Sequence, residues 1–335
     1  MSVEIAGKMF IVGLALYVCK KIVDRLFAKT FRVYEEGIIL VTGASTGIGR
    51  HSAESLAKRG YVVFAGVRKE EDAKSINEMG IDTLVPLFLD VTKEDMCVEA
   101  MKQVKEMTEK TSLPLVALVN NAGVMRSCPI EFHSLADMRR VFDTNVFGSM
   151  HLTQCAIPLL KESEGRVVNI TSFTGVAAPP LQGTYAASKH AFEGFSDALR
   201  RELGPQFNIS VSIVEPAYVT SNLQTTATAT SQEHALSSSS TGCLDTSRGV
   251  TEENMKAMYS KLYSSFNSKK VVFSVSMASS ADVTSWAITD AIVNPRPRTR
   301  YPVANAMGIP TWILSYVFCV LPDRVIDLFL DPIHL

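Results

Sequence analysis

Tyr185 and Lys189, four residues apart in Thr184-Tyr185-Ala186-Ala187-Ser188-Lys189, are a pair able to move a proton. A phenol with an ordinary pKa of about 10 is a poor acid or base near neutrality. On a helix the two residues lie one turn apart, and an ammonium so placed favours the phenolate and draws that pKa down. Tyr17 and Lys21 repeat the spacing inside an apolar leader, where it reads as accidental. The later pair stands out because of its company upstream: the octet Thr42 to Gly49, the run Asn120-Asn121-Ala122-Gly123, then Asn145 and Ser172.

These residues need elements to hold them. Gly37-Ile38-Ile39-Leu40-Val41 is a short apolar run that ends in the glycine-rich octet. Arg50 to Arg59 then has Ala53, Leu56 and Ala57 on one helical face. Strand, glycine turn and helix open a dinucleotide-binding βαβ unit. Gly43 is expected to allow the tight turn, and Gly47 and Gly49 to let backbone N–H groups and the helix N-terminus approach a pyrophosphate. The second strand, Tyr61 to Gly66, leads to Val67-Arg68-Lys69. A carboxylate usually stands near this strand end to hold a ribose 2′-hydroxyl. Val67 takes that place and Arg68 follows, which suits a 2′-phosphate. A solvated Arg-Lys-Glu-Glu helix start is the alternative. The expected cofactor is NADP, with NAD as the other option.

In these motifs the chain resembles the short-chain dehydrogenase/reductase family, over roughly residues 36 to 305. The octet matches that family's Thr-Gly-x-x-x-Gly-x-Gly signature. The resemblance implies cofactor contacts at Gly43, Ser45, Thr46, Gly47, Ile48 and Gly49. It also implies them at Arg68, Asp90, Asn121, Ala122, Gly123, Tyr185, Lys189, Pro216 and Thr220. It implies a catalytic set of Asn145, Ser172, Tyr185 and Lys189. Tyr185 is then the general acid/base, Lys189 lowers its pKa and holds the nicotinamide ribose, Ser172 bonds the substrate oxygen, and Asn145 helps hold a relay water. Ala217 departs from the glycine usual after Pro216, which leaves the path to Thr220 open.

Apolar runs at 38–42, 61–66, 83–89, 115–119, 165–171 and 208–215 alternate with helical stretches near 47–59, 70–79, 93–110, 134–161 and 184–203. Tyr301-Pro302-Val303 adds a last strand. Such alternation predicts an α/β fold, a single doubly wound Rossmann domain with a parallel sheet, over 33–335. A net charge of −1 with no long basic run argues against nucleic acid as a partner. The 6 Cys are scattered without a Cys-x-x-Cys, and the 6 His are dispersed. That points to reduced thiols and no metal site.

Three segments lie outside this pattern. Met9 to Cys19 is apolar and is followed by Lys20, Lys21, Arg25, Lys29 and Arg32. Residues 1–32 are read as an N-terminal membrane-anchor helix with its basic flank in the cytosol, although eleven to fifteen residues is short against the roughly 20 of a full span. A core-packing helix is the alternative. Residues 224–249 are rich in Ser, Thr and Ala, inside a substrate-lid insertion expected near 218–270. The C-terminal stretch 307–321 is apolar and resembles the retinol- and hydroxysteroid-dehydrogenase branch of the family. It covers a lipophilic substrate, lies on a membrane, or simply packs on the core. The combined expectation is an NADP(H)-dependent oxidoreductase acting on a lipophilic alcohol or carbonyl, steroid- or retinoid-like. It is expected at a membrane such as the endoplasmic reticulum with its catalytic domain in the cytosol, and a homodimer is the assembly considered. An NAD-dependent 3-hydroxybutyrate-type dehydrogenase and a non-catalytic cofactor-binding scaffold are the alternatives.

Overall fold

A computed structural model describes residues 28–219, 251–266, 279–306 and 309–330. Its frame is a seven-stranded parallel sheet in the order β3-β2-β1-β4-β5-β6-β7. The strands are β1 Ile38–Val41, β2 Val62–Val67, β3 Leu84–Phe88, β4 Leu115–Asn120, β5 Arg166–Ile170, β6 Ser210–Pro216 and β7 Arg300–Val303. A strand buried on both faces should be apolar throughout, and β1 is buried at all four positions. Its side chains alternate between two cores. Ile39 and Val41 join Leu56, Ile288 and Ala291 on one face. Ile38 and Leu40 join Val104, Leu152, Leu160 and Leu203 on the other.

The first face is covered by α1 (Gly47–Ala57), α2 (Glu70–Asn77) and a helix at Ala281–Val293, which packs on α1. The second is covered by α3 (Glu94–Thr111), a helix at Ser149–Ser163 and a long helix at Gly183–Phe207. Two expectations needed correction. The single helix expected over 134–161 is three pieces: Leu135–Phe142, a wide π-helical segment Asp143–Gly148, and Ser149–Ser163. Gly148 is why the chain runs so close there, since a β-carbon on it would lie 2.5 Å from the Val91 carbonyl oxygen. The helix at Ala281–Val293 was not foreseen. Its buried side includes Thr284, Ser285 and Thr289, so the sequence shows no clean apolar stripe.

The leader up to residue 27 lies outside the described residues, as does 220–250 of the lid region. Two short helices, Glu252–Met258 and Ser260–Phe266, follow the latter. Among the described residues, no helix is long and apolar enough to cross a membrane. The helix Thr311–Val320, which a further helix at Asp323–Leu330 follows, packs Leu314 and Phe318 against Phe173 and Ala177, so part of that apolar stretch is core.

Arg166, at the start of β5, ties the N-terminal edge of the sheet together. It is 2% exposed. Its Nη1 donates to the carbonyls of Ala291 and Asn294 at 2.8 and 2.7 Å, and its Nη2 to that of Arg32 at 2.8 Å. Burial lowers its pKa to about 10, yet at neutral pH it stays charged. Arg166→Leu removes the donors and leaves three carbonyls without that partner, one buried and two half-buried. The expected loss of stability is about 3 kcal/mol or more, read as a fall in Cm at unchanged m-value in urea. A change below about 0.5 kcal/mol would mean that solvent satisfies those carbonyls.

Candidate active site

The order of the sheet reverses between β1 and β4, and the carboxyl ends of parallel strands open a crevice at such a point. Here the crevice is a cleft of about 390 Å³. Its first wall is the glycine turn. Gly43 (φ 63°) and Gly47 (φ 59°) are left-handed, a conformation that costs any residue with a β-carbon. A β-carbon on Gly43 would also lie 2.8 Å from Ala122 Cα. Gly49 has a packing role as well. It is buried, and a β-carbon there would collide with Asn121 Nδ2 and the Gly43 carbonyl, so it serves packing within the protein. Thr46 stands at the N-cap of α1 without a side-chain cap bond, and no acidic residue occupies the first turn. That N-terminus, beside Ser45, Thr46, Gly47 and Ile48 on the cleft wall, fits an anionic pyrophosphate.

The opposite wall is the loop after β4. Asn121 Nδ2 donates to the carbonyls of Thr42 (2.9 Å) and Gly43 (3.0 Å). The Thr42 hydroxyl accepts the N–H groups of Asn121 and Ala122, both at 2.9 Å. Gly43, Arg68, Asp90, Asn121, Ala122, Gly123 and Pro216 line the same cleft, together with Ser172, Tyr185 and Lys189. Arg68 is exposed at the end of β2, next to buried Val67, with no carboxylate in the place a 2′-hydroxyl would need. Asp90 Oδ1 accepts the N–H and hydroxyl of Thr92 at 3.0 and 2.8 Å, which fixes its turn. Thr220 lies outside the described residues. Ala217 causes no break, since its N–H donates to the Val303 carbonyl at 3.1 Å.

At the far end stands Tyr185, 5% exposed. Burial pushes its phenol above the usual range, and the nearby Ser172 and Thr174 hydroxyls oppose that in part. The lowering that the sequence led us to expect from Lys189 is absent. Lys189 Nζ donates to the Ile170 carbonyl at 2.9 Å and stands 5.8 Å from the phenol ring centroid. Lys189 is itself perturbed. Burial brings its pKa down to about 8, and the Glu193 carboxylate one turn on opposes that. Ser172 Oγ accepts the Thr174 N–H at 3.2 Å and donates to the Pro216 carbonyl at 3.4 Å, so its bonds stay on the cleft side.

Asn145 is not on the cleft wall. It sits in the π-helical segment, 1% exposed. Its Oδ1 accepts the Val124 N–H at 2.8 Å, and its Nδ2 donates to the Val124 carbonyl at 2.9 Å and to Ser188 Oγ at 3.0 Å. Ser188 Oγ donates to the Tyr185 carbonyl at 2.7 Å. Asn145 thus joins the loop after Gly123 to the helix that carries Tyr185. A β-carbon on Gly123 would lie 3.5 Å from Asn145 Oδ1 and 3.7 Å from Lys189 Nζ, so the two polar groups flank that glycine. The sequence reading missed Thr174 and Glu193. The second was findable, since it repeats the four-residue spacing after Lys189. His190 is an exposed residue of the same helix.

Comparison with known proteins gives a family. The profile described as short chain dehydrogenase matches residues 37–232. An NADPH-dependent 3-dehydrocapnine reductase from Ornithobacterium rhinotracheale is 38% identical over 53% of this chain, and the match spans 63% of that protein's length. Retinol dehydrogenase 16 from Rattus norvegicus is 31% identical over 80% of each chain. The crystal structure of a short chain dehydrogenase from Burkholderia cenocepacia J2315 in complex with NADP superposes with a TM-score of 0.62. It covers 89% of this chain and 99% of that one at 21% identity, which speaks to fold alone.

The Lys189 ammonium can be followed without a substrate. A lysine whose folded pKa is lowered is charged below that value and neutral above it. If it holds a ribose hydroxyl as a cation, NADPH affinity should stay level through neutral pH and fall as pH rises past about 8. Glu193→Gln should move that fall to lower pH, and Lys189→Met should flatten the profile at weaker affinity. NADPH fluorescence titrations between about pH 6 and about pH 10 read all three. A wild-type profile without the fall would take Lys189 out of cofactor binding.

Proposed function

The chain belongs to the short-chain dehydrogenase family, and from that premise we propose that it is an NADP(H)-dependent oxidoreductase acting on a lipophilic alcohol or its carbonyl form, steroid- or retinoid-like. The observation that carries this reading is the shared cleft: an uncapped helix N-terminus and glycine turn at one end, Tyr185 with Ser172 and Lys189 at the other.

Bound NADP(H) supplies the hydride chemistry; the protein orients it and keeps water away. On reduction, the Tyr185 phenol gives its proton to the substrate oxygen, and on oxidation it takes one back. Ser172 Oγ donates a hydrogen bond to that oxygen as charge develops there. Lys189 Nζ, one turn from Tyr185, returns the proton to the phenol. Asn145 keeps the loop at Val124 and the helix of Tyr185 in register, and its flank of Gly123 suits a water in the relay. A phenol raised by burial is a firm proton holder until a substrate oxygen or a charged Lys189 engages it, which suits the acid role in reduction.

The exposed Arg68 beside Val67 supports NADP over NAD, and the relative named as NADPH-dependent agrees with it. The same feature weakens the NAD-dependent hydroxybutyrate alternative. Lipophilic substrates are supported by the apolar cluster of Phe173, Ala177, Leu314 and Phe318 beside Ala217, and by the similarity to retinol dehydrogenase 16. Residues 1–32 would anchor the domain that starts at 33 to a membrane such as the endoplasmic reticulum, domain in the cytosol, on the strength of the basic flank after the apolar run. A homodimer is part of the same reading.

Tyr185→Phe should lower kcat by a factor of about 10² to 10⁴ while NADPH binding stays within about twofold. Retinol, neutral steroid and short hydroxy-acid panels with either cofactor measure it. Retention of most wild-type turnover would remove Tyr185 from the chemistry. Arg68→Ala should lower kcat/KM with NADP about tenfold or more and leave NAD nearly unchanged, because a guanidinium pairs with a phosphate but has little to hold on a bare hydroxyl. Equal losses with both cofactors would sink the NADP assignment.

A further inference from the structure

Beside the cleft lies a buried ionic chain that the reaction above does not use. His133 stands just before the helix Leu135–Phe142 and Asp137 lies in its first turn, and their side chains are 1% and 5% exposed. His133 Nε2 is 2.9 Å from Asp137 Oδ2, and its Nδ1 is 3.0 Å from the Thr184 hydroxyl. One neutral tautomer satisfies both contacts: Nε2–H donates to the carboxylate and Nδ1 accepts from Thr184. The Asp137 N–H donates to Ser134 Oγ at 3.2 Å. The other carboxylate oxygen, Oδ1, faces Arg126 Nε at 3.4 Å. Burial alone would raise the Asp137 pKa, but His133 and Arg126 outweigh it and hold the group below its usual range.

The chain has two ends. Thr184 is the neighbour of Tyr185, and Arg126 lines the cleft on the loop after Gly123. Arg126 is a quarter exposed. Engaged through Nε alone, it keeps its two terminal nitrogens without a partner among the described residues, which leaves the end of the guanidinium open for a two-point contact with an oxyanion. Burying a carboxylate and an imidazole is costly unless they are paired, and here the pairing ends in a positioned arginine. The cleft as a whole is cationic. Arg68, Arg126, Arg140 and Lys189 line it against one carboxylate, Asp90. Arg68 stands at the end of β2, whereas Arg126 is tied to the residue beside Tyr185, so the two address different parts of what is bound.

We propose that Arg126, positioned by Asp137 and His133, is a specificity-determining residue that receives an oxyanion on the substrate. The substrate is then an amphiphile with a carboxylate-like group in addition to its reacting alcohol or carbonyl. The oxidoreductase reading is needed only for the reacting group; the anion site stands on binding.

The experiment has a binding arm and a turnover arm. In the first, calorimetry with NADP-saturated protein compares decanoate with decanamide. Decanoate should bind about tenfold or more tightly, Arg126→Leu should remove that difference, and Arg126→Lys should keep part of it. NADP affinity should change less than about twofold in both variants. Asp137→Asn should weaken decanoate while leaving decanamide alone, which a merely structural role would not do. In the second arm, aliphatic oxo-acids and their methyl esters are reduced with NADPH, and the acids should be preferred until Arg126 is replaced. No discrimination between decanoate and decanamide, including no binding of either, overturns the proposal. So does a loss of NADP affinity in Arg126→Leu equal to the loss of decanoate, which would give Arg126 to the cofactor. A protein that binds decanoate through Arg126 yet turns over no alcohol or carbonyl keeps the anion site and sinks the oxidoreductase reading. Turnover of neutral carbonyls without preference for acids does the reverse.

Discussion

Thr42 holds together the two loops that make the cleft. Its hydroxyl takes the backbone N–H groups of Asn121 and Ala122, and its carbonyl takes the Asn121 amide. β1 and β4 are neighbours in the sheet, so their carboxyl ends emerge side by side while the following helices leave to opposite faces. That divergence opens the crevice, and without a tie its two lips would be free loops. The glycines fit this lock. Gly43 and Gly49 lie where a β-carbon would press on Ala122 or Asn121, so the turn is as much a packing surface for the second loop as a seat for phosphate.

The reacting end depends on a second constraint, the burial of Lys189. A lone ammonium in such a place favours its neutral form, and the pKa of about 8 reflects that. Glu193 offsets the burial from one turn away. Its carboxylate is in turn held by Arg300, which also meets Glu215 at 2.9 Å and Asp197 at 3.2 Å. Burial would lower the Arg300 pKa, but Glu193 and Glu215 outweigh it and raise it. β7 is therefore more than the last strand of the sheet: through Arg300 it fixes the long helix of Tyr185 and Lys189 from outside. One oxygen of Glu193, Oε1, is buried with no partner and packs against Gly175, three residues after Ser172.

Much of this could be read from the sequence because the signals are local. A strand buried on both faces must be apolar, a turn crowded by a second loop must be glycine, and a proton pair must share a helix face. Each leaves its mark within a few residues, as at 38–49 and 185–189. The misreadings share the opposite character. Gly49 reads from its neighbours as a phosphate residue, and the spacing does not record that it is also packed on a loop more than seventy residues on. The break at 143–148 ends at Gly148, where the chain approaches Val91, a contact no periodicity records. The helix at Ala281–Val293 buries threonine and serine against α1, so its composition hides its position. The phenol's pKa was misjudged for a similar reason. Spacing says that Lys189 is near, but burial and the pull of the Ile170 carbonyl on Nζ are tertiary facts.

Residues 28–32 and the helix Thr311–Val320 meet the domain on different sides, and this bears on how a lipophilic substrate would reach Tyr185. Arg32 is held by Arg166 at the start of β5, and the Phe31 N–H donates to the Pro295 carbonyl before β7 begins. Residues 28–32 therefore enter at the amino-terminal edge of the parallel strands. The cleft opens at the carboxyl edge, a strand length away. Thr311–Val320 follows the carboxyl end of β7, and through Phe318 it packs on Phe173, the residue after Ser172. On the proposed reading, an anchor before residue 28 would fix the domain to a membrane by the side away from the cleft. An amphiphile would then reach the cleft beside Thr311–Val320, with its apolar part near Phe173 and its charged part toward Arg126. The cationic cleft and the apolar C-terminal helix need not signal different substrates, because a single molecule with one end of each kind would use both.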